Sequence, residues 1–169
     1  MGRNPWANIE TKYFLNMKIA IIGTGNLGLS IAKGLVVNDT FTTLYLTKRN
    51  PAQLSHWNDR KNVTLTSDNR EAVAASDILI FAVQPRQMQG ILEEIKDLLT
   101  EKHVLISTIT GFKIERIEAL IGADFPIIRS MPNTAISVGK SMTCICSNAG
   151  GKKRVDIATA IFNGLGTSI

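Results

Sequence analysis

From Met17 onward the chain alternates short apolar runs with stretches of helical period. Met17-Lys18-Ile19-Ala20-Ile21-Ile22 is a nearly continuous, β-branched run, the pattern of a strand buried on both faces. Leu27, Ile31 and Leu35, with small Gly28 and Ala32, then recur at helical spacing. Further strands are predicted at Thr43–Thr47, Asn62–Thr66, Asp77–Val83, His103–Thr108, Pro126–Ser130 and Ser141–Ser147. A short helix starts at Pro51, which suits a first helical turn, and carries Leu54 and Trp57 at i, i+3. Helices are also predicted at Asn69–Ala75 and at Pro85–Leu99, the latter with Met88, Ile91, Leu92, Ile95 and Leu99 on one face. Another spans Lys113–Ile121, closed by Gly122, and a last one Asp156–Leu165. Thr167-Ser168-Ile169 begins an eighth strand.

Strands separated by helices of about ten residues specify a mostly parallel sheet covered on both faces. The predicted architecture is a doubly wound α/β domain of Rossmann type over residues 17–169, with sheet order 3-2-1-4-5-6. Only about ten residues separate the sixth and seventh strands, too few for a crossover helix, so the seventh forms an antiparallel edge. Residues 1–16 read as a leader or extension outside this domain.

At 169 residues the chain suits one domain, and 44% hydrophobic with 20% charged residues is ordinary globular composition. No apolar run reaches a membrane-spanning length, and residues 1–16 lack a secretory core, so a soluble cytoplasmic protein without membrane partners is expected. The net charge of +5 is dispersed and aromatic residues make up 6%, which argues against a nucleic-acid partner. Lys152-Lys153-Arg154, the largest basic cluster, reads as a solvated helix face. Cys144 and Cys146 point the same way on a strand and read as neighbouring core thiols. With His56 and His103 the only histidines, no metal-ligand set is expected.

The chemistry concentrates in Gly23-Thr24-Gly25-Asn26-Leu27-Gly28, a G-x-G-x-x-G motif that follows a strand and opens a helix. Gly23 permits the tight turn, Gly25 lets the backbone approach a pyrophosphate, and Gly28 lets the helix pack on the strand. The helix N-terminus offers unpaired N–H groups and a positive dipole end to phosphates. At the end of the second strand, where a site for NAD carries an acidic residue, stands Thr47-Lys48-Arg49. Two cations and a hydroxyl suit a 2′-phosphate, with Arg49 able to grip it bidentately, so NADP(H) is the expected cofactor. The loops Ala82-Val83-Gln84-Pro85 and Thr108-Ile109-Thr110-Gly111 leave the carboxyl ends of strands. Each either borders the nicotinamide or is a plain βα turn. Arg129-Ser130-Met131-Pro132-Asn133-Thr134 reads as a turn after the sixth strand, with the Asn133 amide able to donate and accept.

Taken in order, these segments resemble the pyrroline-5-carboxylate reductases of proline synthesis over about residues 17–168. The resemblance implies pyrophosphate binding by the Asn26 and Leu27 amides and 2′-phosphate binding by Thr47, Lys48 and Arg49. It places Asn69, in Asn69-Arg70-Glu71-Ala72-Val73, near the adenosine. Ala82, Val83, Gln84 and Pro85 would stand at the nicotinamide side, where Gln84 replaces the family's usual Lys. Ser107 to Gly111 resembles the S-x-A-A-G turn, with Ile109 and Thr110 in place of two small alanines, a change expected to crowd or reshape the nicotinamide end. Ser141 replaces a usual Gly. Arg129 to Thr134 is similar to the M-P-N stretch and puts Asn133 at the reacting end. The implied reaction is NADPH-dependent reduction of 1-pyrroline-5-carboxylate, a small imine, to proline. The family also carries a helical C-terminal domain that supplies a dimer interface and a proton donor. That domain is absent from this sequence, so no catalytic residue is assigned here, and a homo-oligomer is expected of the full-length enzyme. Two other readings stay open: another small NADP-dependent reductase (of deazaflavin-dependent or hydroxyacid dehydrogenase type), or a non-catalytic NADP-binding module.

Overall fold

A computed structural model describes residues 17–169. The expected leader, residues 1–16, lies outside the described residues. β1 (Lys18–Ile22), β2 (Thr43–Thr47) and β3 (Val63–Thr66) pair in parallel on one side, and β4 (Ile78–Phe81), β5 (Val104–Ser107) and β6 (Ile127–Pro132) extend the sheet on the other. β7 (Ser141–Ser147) joins β6 antiparallel, and β8 (Gly166–Ser168) joins β7 in parallel. The order is β3-β2-β1-β4-β5-β6-β7-β8. β8 is therefore the edge, and β7 lies inside it.

Successive side chains of a strand point to opposite faces, and β1 divides its apolar residues accordingly. Ile19 and Ile21 enter a layer with Ile31 and Leu35 of α1 (Asn26–Asn38). Ala20 and Ile22 enter the opposite layer with Ala72 and Val73 of α2 (Asn69–Ala74) and Met88, Leu92 and Ile95 of α3 (Pro85–Ile95). Ile117 of α4 (Ile114–Ile121) joins this second layer, while Ile161 and Phe162 of α5 (Val155–Asn163) join the first. Both faces of the central strands are thus dry, which is why they read as continuous apolar runs rather than alternating ones. Gly122, at φ 101°, ends α4. The segment Pro51–Trp57 forms a 3-10 helix. No helix of the described residues is long and apolar enough to cross a membrane.

Three further expectations are corrected. β6 continues through Met131 and Pro132, beyond the predicted end at Ser130. Its pairing with β5 stops at Arg129, so the last residues of β6 have β7 as their only strand partner. A residue without an N–H is tolerated on such a one-sided stretch. Arg129–Pro132 therefore belong to the strand, and the turn begins at Asn133. Cys144 and Cys146 share a face, but that face is exposed rather than core. β7 turns its hydroxyls inward instead, where Ser141 Oγ and Thr143 Oγ1 hydrogen-bond at 3.1 Å. Finally, the last helix ends at Asn163, and Leu165 is buried against Gly34 of α1. A Cβ on Gly34 would lie 1.7 Å from Leu165 Cδ2, so that glycine is a packing requirement.

Candidate dinucleotide site

The carboxyl ends of β1, β2 and β4 open on a cleft of ≈ 560 Å³. Its floor is the turn from β1 into α1. Gly23 has φ 90°, and a Cβ there would lie 2.3 Å from Val83 Cγ1. A Cβ on Gly28 would lie 2.2 Å from the Gly23 carbonyl oxygen. Gly25 differs: its φ of −76° suits any residue, and a Cβ would meet nothing within 4 Å. The vacant volume at Gly25 is part of the cleft itself. Gly25 caps α1 without a side-chain hydrogen bond, and the helical ladder begins with Leu29 N–H donating to the Gly25 carbonyl at 2.9 Å. The amides of Asn26, Leu27 and Gly28 thus have no acceptor within the helix, the arrangement that receives an anion.

The second wall is the end of β2. Thr47 is buried, and its hydroxyl accepts from the Gly23 N–H at 3.1 Å. Thr24 is buried too, with both its N–H (3.0 Å) and its hydroxyl (2.9 Å) donating to the Thr47 carbonyl. These two threonines bind the loops to each other: the Thr24 hydroxyl spends its proton on the Thr47 carbonyl, and the Thr47 hydroxyl oxygen accepts from Gly23. Lys48 Nζ donates to the Thr24 carbonyl at 3.4 Å, so its ammonium lies over the glycine turn. Arg49 is exposed at the rim and makes no hydrogen bond or ion pair within the described residues. Asn50 and Gln53, from the turn and 3-10 helix after β2, continue this wall.

The third wall comes from α2 and α3. Asn69 lines the cleft, its amide donating to Glu94 Oε2 at 3.1 Å. Asp68 caps α2 by accepting from the Arg70 and Glu71 amides, which fixes Asn69 at the first helical position. Ala82, Val83 and Gln84 line the cleft beside Gln87 and Ile91. The Gln84 N–H donates to Gln87 Oε1 at 3.2 Å, and Pro85 takes the first position of α3. Among the residues lining the cleft there is no carboxylate, and Lys48 and Arg49 are the only ionisable side chains. The walls therefore favour a polyanion, and the missing carboxylate leaves nothing to repel a 2′-phosphate.

A model of the family described as NADP oxidoreductase, coenzyme F420-dependent, matches residues 18–111, more than half of the chain. The chain belongs to that family. Among curated relatives, pyrroline-5-carboxylate reductase 2 of Dictyostelium discoideum is 42% identical over 138 residues, covering 79% of this chain and 46% of the relative. Pyrroline-5-carboxylate reductase 1 of the same organism is 38% identical, covering 89% of this chain and 30% of the relative. The chain thus spans half or less of each. A solved pyrroline-5-carboxylate reductase from Coxiella burnetii superposes with TM-score 0.85 at 32% identity, over 91% of this chain and 58% of that one. A Plasmodium falciparum pyrroline carboxylate reductase, solved with NADP bound, gives 0.79 at 26% identity, over 91% and 57%.

Ten of the sequence-derived site residues line one cleft: Gly23, Thr24, Gly25, Thr47, Lys48, Arg49, Asn69, Ala82, Val83 and Gln84. Asn26, Leu27 and Gly28 form the first turn of α1 beside it, and Pro85 sits next to Gln84. Asn133 lies elsewhere, after β6. Its Oδ1 accepts from the Ala135 N–H at 3.1 Å, capping a 3-10 helix, and its own N–H donates to Ser141 Oγ at 3.3 Å. Ile109 does not crowd the cleft: it is buried in the layer with Phe81 and Phe112. Thr108 ties the end of β5 to β4, its hydroxyl donating to the Phe81 carbonyl at 2.8 Å. The sequence reading missed Asn50, Gln53, Ser67, Gln87 and Ile91 as cleft residues. Ile91 reads only as part of the apolar face of its helix, and the other four are polar residues with no distinguishing pattern.

Proposed function

We propose that the chain is the cofactor-binding half of a pyrroline-5-carboxylate reductase and that its cofactor is NADP(H). The observation that carries this reading is the pairing of Gly25, whose side-chain volume is open cleft, with Arg49, a cation that lines the same cleft and has no partner among the described residues. A pyrophosphate fills the first and is met by the amides of α1, while a 2′-phosphate meets the second. Thr47 and Thr24 hold the two loops in register, and Asn69, Gln87 and Ile91 wall the adenosine side. Ala82 to Pro85 border the nicotinamide end. NADPH supplies a hydride, which a pyrroline imine accepts at its C=N carbon to give proline. The proton donor belongs to the further length that the relatives possess. The expected setting is the cytoplasm, with a small imine as substrate and self-association through that further length.

Fluorescence titration with NADPH and NADH tests the cofactor assignment: NADPH is expected to bind more tightly, and equal affinities would overturn it. The 169-residue chain is expected to bind NADPH with little turnover, and robust proline formation by it alone would overturn the placement of the proton donor. The family description favours one second reading, hydride exchange between NADP(H) and the deazaflavin F420. Supplying the intact protein with NADPH and either F420 or 1-pyrroline-5-carboxylate separates the two.

A further inference from the structure

β7 is inside out for a strand of its composition. Free cysteine ranks among the most buried residue types, yet Ser141 and Thr143 face the core while Met142, Cys144 and Cys146 are exposed. The three sulfur side chains alternate with the inward residues, so they stand in a column on one face of the sheet. The register with β6 adds a fourth: Met131 lies directly opposite Cys144, and Arg129 directly opposite Cys146. Residues directly opposed on neighbouring strands share a face. Two thiols and two thioethers therefore share one face of neighbouring strands, none of them lining the cofactor cleft, with one cation on the same face.

We propose that Cys144, Cys146 and Met131 form a binding site for a soft monovalent metal ion, copper(I) in chemical class. Thiolate and thioether sulfur select such ions, whereas zinc, calcium and magnesium need nitrogen or oxygen donors or four strong ligands. No group of three or more His, Cys, Asp or Glu side chains among the described residues is placed to share a metal, so those harder ions have no competing site here. The backbone geometry favours a bridging ion over a disulfide. Residues i and i+2 of a strand lie about 6.8 Å apart at Cα, the upper limit for a disulfide. A metal held between two sulfurs spans two bonds of roughly 2.3 Å, which the same backbone accommodates without moving. Met131 reaches across the strand pair as the third ligand. Binding releases both thiol protons to solvent and changes no oxidation state. The product, two thiolates and one monovalent cation, carries a single negative charge, which the Arg129 guanidinium opposite Cys146 offsets.

The test uses the full chain, reduced and metal-free, titrated with copper(I) in competition with bicinchoninate, with native mass spectrometry for stoichiometry. One ion per monomer is expected. Cys144→Ser and Cys146→Ser are each expected to weaken binding beyond the roughly 10–100-fold that loss of a supporting neighbour costs a metal site. Met131→Leu is expected to weaken it less, and NADPH binding should be unchanged in all three. Two ions per chain, a metal-bridged dimer, or wild-type affinity in either serine variant would overturn the site. Wild-type affinity in Met131→Leu would remove the thioether and with it the three-sulfur site.

Discussion

The Gly23 N–H donates to the Thr47 hydroxyl at 3.1 Å, so the turn that begins the glycine loop is anchored on the last residue of the neighbouring strand. Thr24 returns two bonds to the Thr47 carbonyl, and Thr47 itself is 2% exposed. This residue was expected to contact the 2′-phosphate. Its hydroxyl oxygen accepts from Gly23 and its side chain is buried, so it is expected to act chiefly by positioning the glycine turn. Thr47→Val keeps the shape but leaves the Gly23 amide unpaired, at a cost of about 1–3 kcal/mol in stability. Because the loop serves either nucleotide, NADPH and NADH should weaken by the same factor. A loss confined to NADPH, measured by titration, would return Thr47 to the role of phosphate ligand.

Arg49 is expected to behave differently. Its guanidinium has no partner among the described residues, whereas Lys48 Nζ already donates to the Thr24 carbonyl. Arg49→Ala should therefore weaken NADPH by about 1.5–3 kcal/mol, the range for a hydrogen bond to a charged group, and leave NADH nearly unchanged. Lys48→Ala should discriminate less, because it also loosens the glycine turn that both nucleotides use. The ratio of the two dissociation constants in each variant is the quantity to measure.

Two glycines of one motif should separate binding from folding. At Gly25 the backbone suits alanine and the new methyl group enters open cleft, so Gly25→Ala should keep the melting temperature and lose pyrophosphate binding. At Gly28 the methyl group would lie 2.2 Å from the Gly23 carbonyl oxygen, forcing α1 away from β1. Gly28→Ala should lower stability by about 1–3 kcal/mol, as overpacking does. Thermal melts alongside NADPH titrations distinguish the two, and a destabilised Gly25→Ala would argue against the open cradle.

What was legible in the chain follows from which features leave a residue-type signature. β1, β4 and β5 are buried on both faces and must be continuously apolar, so Ile19–Ile22, Ile78–Phe81 and Val104–Ser107 could be read directly. Gly23 and Gly28 are legible because steric exclusion of a Cβ leaves only one residue type. The end of β6 was illegible because Pro132 is a turn signal that one-sided pairing overrides. β7 misled for a similar reason: Ser141 and Thr143 satisfy each other by a hydrogen bond, so the inward face need not be apolar. Gln53 and Gln87 carried no signal, since a polar residue on an amphipathic helix is ordinarily solvent-facing. Their place in the cleft exists only once α3 and the 3-10 helix after β2 converge on the same strand ends.

The Arg70–Asp97 pair, at 2.6 Å, joins α2 to the segment after α3. The Arg70 hydrogen bond holds the Asp97 carboxyl below its ordinary range. A carboxyl lowered on folding contributes stability above its unfolded-state value and loses it as pH falls through the lowered one. Both side chains are largely exposed, so the contribution should be small and should shrink with added salt. Asp97→Asn should accordingly change stability little at neutral pH and flatten the acid limb slightly in denaturant midpoints taken from neutral pH down to strongly acid conditions. A large neutral-pH loss would mean that the pair does more than join two surface elements.

Asn148 is the contrasting case, because its amide orientation is dictated by its partners. Its Oδ1 accepts from the Ile127 and Gly151 amides at 3.1 and 2.7 Å, and its Nδ2 donates to Glu118 Oε1 and the Phe125 carbonyl at 2.9 and 3.0 Å. One side chain thereby joins the start of β6, helix α4 and the turn into α5. Asn148→Ala should cost on the order of 2–4 kcal/mol, since two partly buried amides lose their acceptor. Asn148→Asp keeps that acceptor but sets a carboxylate against Glu118 and a carbonyl oxygen, replacing two attractions by repulsion. It should be destabilised at neutral pH and regain stability toward acid pH, where a protonated carboxyl can donate to one of those oxygens. That acid recovery is opposite in sign to the Asp97 contribution. Denaturant midpoints for Asn148→Asp that fall on acidification as steeply as in the wild type would show that the Glu118 contact is not what fixes the clasp.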